Sequence, residues 1–167
     1  MTSLDFLSLD LARAGEGHEP APRSPLEHAL RWAGTEVEDS SQMGKLEVRG
    51  QLDGADLPDG TESVRLSPTR ALVLCPPNEV GRVRAELRER FGHVVDVTGA
   101  LAGIRVRGEQ LLRRLTDLDL DSLPAAGAVA RVPAIVLRDG DAFRIFFAQE
   151  YGDYVVEVVL DTAKGLA

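Results

Sequence analysis

Residues 37–50 read VEDSSQMGKLEVRG, and residues 95–108 read VDVTGALAGIRVRG. Both stretches place an aspartate, Asp39 or Asp96, and a hydroxyl, Ser41 or Thr98, ahead of a small residue. An alternating run that ends in Val-Arg-Gly follows in each. Short carboxylates and hydroxyls bond their own backbone in tight turns, and a glycine after a strand admits a sharp reversal. A turn-and-strand unit therefore occurs twice, which is how a duplicated architecture declares itself in a sequence.

Upstream of the first copy, Ser24-Pro25-Leu26-Glu27 reads as a capping box with Pro25 at the first helical position. Leu26, Ala29, Leu30 and Ala33 follow at helical spacing until Gly34. Residues 12–23, ARAGEGHEPAPR, have no such period and the composition of a tether. Within the copy, residues 45–49 read as a half-buried strand with Leu46 and Val48 inward. Residues 51–61 read as loop, Val64 and Leu66 alternate in a second strand, and 71–75 is an apolar strand halted by Pro76-Pro77. Cys75 is then a small buried hydrophobe. Asn78 stands where it caps a helix that carries Val80, Val83, Leu87 and Phe91 on one face and ends at Gly92.

Around the second copy, residues 94–97 are extended, Ile104 and Val106 alternate in a strand, and 109–116 form a helix with Leu111, Leu112 and Leu115 inward. Strands over 129–137 and 142–147 are joined through Asp139-Gly140, a strong hairpin signal, with Arg131 and Arg144 at strand edges. Valines at 155, 156, 158 and 159 favour a strand on propensity. Asp153 as a cap and Gly165 after Lys164 favour a helix, which is the reading adopted. The organisation expected is a flexible segment over residues 1–23 and a single α+β domain over 24–167, mostly antiparallel sheets with packed helices.

Composition narrows the function classes. Apolar residues at 44% and charged residues at 28% of 167 residues match one compact globular core. A net charge of -8 repels phosphate backbones and anionic lipid, so neither nucleic acid nor a membrane is an expected partner. The basic run Arg82, Arg84, Arg88 and Arg90 interleaves with Glu79, Glu86 and Glu89 and reads as a solvated helix face. Cys75 is the lone cysteine, which fits a reducing compartment and a cytoplasmic location. Residues 1–14 scatter Leu4, Phe6, Leu7, Leu9 and Leu11 without a basic leader and do not read as a signal peptide. No apolar run approaches the roughly 20 residues that a spanning helix needs.

Catalytic patterns are weak. His18, His28 and His93 show no paired spacing for a metal. Asp117, Asp119 and Asp121 alternate as in a calcium loop, but the sixth position is Ser122 and the twelfth Ala128. Gly15-Glu16-Gly17 lacks the strand and helix of a phosphate loop. Asp39 and Asp96 serve turn amides rather than acid–base work. Catalytic residues and metal ligands are therefore none, and cofactor-binding residues are unassigned. Phe143, Phe146, Phe147, Tyr151 and Tyr154 are more rings than one hairpin and its exit can bury, so some are expected on a surface rimmed by Arg144, Glu150 and Asp153, fit for a protein partner.

The stretch at 95–124, VDVTGALAGIRVRGEQLLRRLTDLDLDSLP, resembles the core of the gamma subunit of heterotetrameric sarcosine oxidase. In that family a valine-aspartate-hydroxyl turn, a strand, a glycine and a leucine-rich helix precede a leucine-aspartate-leucine stretch, here Leu118-Asp119-Leu120. Arg23-Ser24-Pro25-Leu26 is similar to the family's opening, and the resemblance runs over residues 23–163. It implies duplicated ferredoxin-like halves of the aminomethyltransferase folate-domain type. It also implies a small non-catalytic subunit beside alpha, beta and delta subunits that hold flavin, NAD and tetrahydrofolate and demethylate sarcosine oxidatively. No cofactor is then bound by this chain itself. The 37–50 stretch is similar to the opening motif of the glycine-cleavage aminomethyltransferase, so a free-standing folate-binding or aminomethyltransferase-like protein is the alternative. That enzyme's catalytic aspartate follows a hairpin turn, whereas the strand after Asp139-Gly140-Asp141, Phe143-Arg144-Ile145-Phe146-Phe147, has no carboxylate.

Overall fold

The computed structural model describes residues 23–34, 37–54 and 56–166. The segment expected to be flexible, 1–23, lies outside the described residues except for Arg23. Among the described residues the strands are β1 (Val37–Asp39), β2 (Gly44–Arg49), β3 (Glu62–Ser67), β4 (Arg70–Cys75), β5 (His93–Asp96), β6 (Leu101–Arg107), β7 (Ala125–Val129), β8 (Val132–Asp139) and β9 (Ala142–Ala148). The α-helices are α1 (Val80–Arg90), α2 (Glu109–Leu115) and α3 (Gly152–Lys164). One sheet has the order β1-β6-β9-β8-β7 and the other β3-β4-β2-β5, with antiparallel pairing throughout.

Alternation along the strands explains the layering. Val73 and Cys75 join Leu46 and Val48 against Val83 and Leu87 of α1, while Leu72 and Leu74 point the other way. There they meet Leu137 and Phe146 of the five-stranded sheet, so the two sheets stack face to face. The far side of that sheet, with Ile104, Val106, Phe143, Ile145 and Phe147, is covered by Leu111, Leu112 and Leu115 of α2 and by Val155, Val156 and Val159 of α3. Arg144 on β9 ties the layers further, its Nη2 standing 2.6 Å from Glu62 Oε2 on β3.

Several expectations need correction. Residues 25–28 form turns and only Ala29–Trp32 is helical, of the 3-10 type. Ser24 Oγ accepts the amide of Leu26 at 3.0 Å instead of that of Glu27. The turn is pinned because Leu26 is fully buried against Gly152, where an added Cβ would lie 2.8 Å from its Cδ2. Asn78 does not cap α1, which is entered through the 3-10 turn Pro77–Glu79. The strand read over 129–137 is two strands folded at Ala130-Arg131. Lys45 faces inward and is 0% exposed, because β2 is covered on both faces. Arg144 is buried on the central strand β9, not on a rim, and Phe143, Phe146 and Phe147 are all buried. Two expectations hold: residues 153–164 are helical, and Cys75 is buried, its thiol pushed up by desolvation.

Gly103 is required by close approach: a Cβ there would lie 2.7 Å from Phe146 Cε1 and 3.0 Å from Ser40 O. Gly103→Ala should therefore lose about 1–3 kcal/mol in urea unfolding. Gly92→Ala, where an added Cβ would meet nothing within 4 Å, should change stability by less than about 0.5 kcal/mol.

Candidate functional site

The stretches 37–50 and 95–108 each fold as strand, turn, strand, and the two units cross. β1 of the first pairs with β6 of the second, Val37 opposite Val106 and Asp39 opposite Ile104. β5 of the second pairs with β2 of the first, Val94 opposite Val48 and Asp96 opposite Leu46. The turns repeat each other bond for bond. Asp39 Oδ1 accepts the Ser41 amide at 2.8 Å, and Asp96 Oδ1 accepts the Thr98 amide at 2.9 Å. Ser40 N donates to Gly103 O at 2.8 Å, and Val97 N donates to Lys45 O at 2.9 Å. Ser41 Oγ and Thr98 Oγ1 each accept, at 3.0 Å, the amide of Gly103 and of Lys45. Both aspartates are thus occupied with turn amides.

The copies differ where they meet. Lys45 runs between the sheets, its Nζ donating to Ser41 O at 2.7 Å and Met43 O at 2.8 Å and standing 5.6 Å from the Phe146 ring centroid. At the matching position of the other copy stands Gly103, against the same ring. Burial pushes the Lys45 ammonium down to about 8, while Asp39 and Asp96 pull it upward. An ammonium held against two carbonyls and an aromatic face remains a hydrogen-bonded buried charge.

Above the turns lies a crevice of about 510 Å³. Its lining brings Ser41, Gln42, Thr98 and Gly99 of the turns together with Arg23, Pro25, Pro77 and Gln149. Apolar proline walls with amide, hydroxyl and guanidinium groups suit a small polar ligand that both donates and accepts hydrogen bonds. Of these residues, sequence reasoning singled out Ser41, Thr98 and the Arg23–Pro25 stretch. Pro77 was read only as a strand stop, and Gln42, Gly99 and Gln149, which lie far apart in the chain, were missed.

Other candidates disperse. His28 Nδ1 is 4.0 Å from Asp153 Oδ1 on the surface, His93 opens β5 exposed, and His18 lies outside the described residues. Asp119 accepts the Ser122 hydroxyl and the Asp121 amide, which hold its carboxyl below the usual range, and so caps a 3-10 turn. Among the described residues no group of three or more His, Cys, Asp or Glu could hold a metal ion, and no helix is long and apolar enough to cross a membrane. Tyr151 and Tyr154 are exposed, at 43% and 46%.

No protein-family model matches the chain, and no curated protein matches it. Among solved structures, a chain of the heterotetrameric sarcosine oxidase from Corynebacterium sp. U-96 is similar at a TM-score of 0.71 and 18% identity, over 86% of this chain and 95% of that one. The glycine cleavage system aminomethyltransferase T from Bartonella henselae is similar at a TM-score of 0.55 and 18% identity, over 74% of this chain and 45% of that one. The chain thus has a fold similar to both, and it spans less than half of the aminomethyltransferase.

Because the folded pKa of Lys45 lies near 8 against an ordinary 10.5, the unfolded chain binds the extra proton between those values. The contribution of this group to stability therefore rises with pH across that window. Unfolding curves of wild type and Lys45→Met should show wild type gaining on the variant from pH 8 to 10.5, by on the order of 1–3 kcal/mol. A wild-type stability that stays level with or falls relative to the variant over that range would contradict the depressed ammonium.

Proposed function

We propose that the chain is a small, non-catalytic subunit of a sarcosine-oxidase-like flavoenzyme assembly in the cytoplasm. Its partners would carry the flavin, NAD and tetrahydrofolate. The observation that carries this reading is the extent of the likeness to the sarcosine oxidase chain, which is nearly complete on both sides. The occupation of Asp39 and Asp96 by turn amides supports a structural role. Exposed Tyr151 and Tyr154 supply aromatic surface of the kind interfaces use.

The proposal includes an internal duplication of ferredoxin-like halves. In support, β2, β3, β4, α1 and β5 run in the order β3-β4-β2-β5, and β6, α2, β8, β9 and α3 run in the order β8-β9-β6. β1 completes the second set at the position that β5 takes in the first, and β7 is added outside. A second reading, a free-standing folate-binding protein, is favoured by the crevice over the paired turns.

Co-expression with the alpha and beta flavoprotein subunits of such an enzyme should yield a complex that survives size exclusion. Tyr154→Asp should weaken it at least tenfold with an unchanged melting temperature. Phe147→Asp is no probe of the interface, because burying a carboxylate at a 1% exposed site should unfold the chain. A rise in the melting temperature of the lone chain with tetrahydrofolate, and no complex, would favour the second reading.

A further inference from the structure

Three arginines gather on one face of a chain whose net charge is -8. Arg113, Arg114 and Arg131 line a cleft of about 340 Å³, which is also lined by Tyr154, Val158 and Thr162 of α3. Arg131 sits in the β7–β8 turn at φ 66, after Ala130 at φ 49. Side chains disfavour this left-handed pair, which two-residue hairpin turns usually fill with Asn-Gly. The surroundings hold it there. Ala130 N donates to Leu115 O at 2.8 Å, and Thr116 Oγ1 donates to Ala128 O at 2.6 Å. Thr116 N donates to Leu112 O, so two carbonyls of the last turn of α2, Leu112 and Leu115, are satisfied by backbone amides.

Arg113 is bound to Glu109 at 2.7 Å. Among the described residues no ion pair involves Arg114 or Arg131, and the one carboxylate lining the cleft is Asp117. Strain retained at a residue that adds charge to a cleft wall is characteristic of functional sites. The wall formed by Tyr154, Val158 and Thr162 is about 12 Å long on an α-helix. That length matches three or four residues of extended chain at about 3.3 Å each. A small anion would occupy only one end of it.

We propose that this cleft seats an acidic segment of a partner chain, with carboxylates on Arg114 and Arg131 and an apolar side chain against Tyr154. The inference rests on the subunit reading and names the surface that it requires.

The test uses the full chain and a fluorescein-labelled acidic hexapeptide with one central leucine, read by fluorescence anisotropy. The same peptide with lysines in place of the acidic residues is the control. The acidic peptide should bind, more weakly as salt rises, and the lysine peptide should not. Arg114→Glu and Arg131→Glu should each lower affinity at least tenfold with the fold intact by circular dichroism. Arg131→Gly, which relaxes the turn, should raise the melting temperature yet weaken binding, whereas a purely structural arginine would not separate the two. Equal binding of both peptides, or affinity unchanged in the variants, overturns the proposal. So does displacement of the peptide by inorganic phosphate or citrate at lower concentration than the peptide itself, which would mark a small-anion site. Failure of the flavoprotein subunits to co-purify would sink the subunit reading and leave the peptide result standing.

Discussion

Two hydroxyl groups tie together the turns that cross between the two sheets. Ser41 and Thr98 each leave their own turn to take a buried amide of the other copy, Gly103 or Lys45. Each turn connects a strand of one sheet to a strand of the other, since β1 and β6 belong to the five-stranded sheet and β2 and β5 to the four-stranded one. The crossing places β1 and β5 as edge strands of the two sheets. The amides lie where water cannot replace a lost partner, so the bonds are worth more than exposed ones of the same length.

Near-symmetry at the crossing forces a difference between the copies. A side chain at both 45 and 103 would compete for the space of the Phe146 ring, which the structure resolves with lysine on one side and glycine on the other. Lysine is an expensive choice for a 0% exposed position. Its ammonium satisfies the carbonyls of Ser41 and Met43 inside the first turn, where no equivalent donor stands in the second. The first copy is held by a buried charge, and the second by backbone that approaches an aromatic ring closely.

Local chemistry was legible in the sequence, and tertiary constraint was not. The Asp-to-amide bonds span two residues, so the pattern at 39–41 and 96–98 could be read directly. Asp139-Gly140 likewise announced its hairpin, with Gly140 at φ 64. The Ala130-Arg131 turn has no such signal, because bonds from Leu115 and Thr116 sustain a conformation that its own residues disfavour. The helix read from Ser24 failed because Leu26 is clamped against Gly152, over a hundred residues away in the chain. Lys45 was left off the inward face and Arg144 was placed at a strand edge, because a sequence pattern cannot see that a second sheet covers the face they share. The crevice was legible only in part, since its lining comes from five separate places in the chain.

On this account the chain contributes surface to an assembly, and the crevice over the turns is secondary. Amide hydrogen exchange on the lone chain, then with flavoprotein subunits, then with tetrahydrofolate, separates these claims in one measurement. The account predicts new protection along residues 113–117, 128–131 and 151–162 on adding the subunits, and none at 41–42 or 98–99 on adding tetrahydrofolate alone. Protection at 41–42 and 98–99 with tetrahydrofolate alone, and no change along the arginine cleft with the subunits, would contradict it.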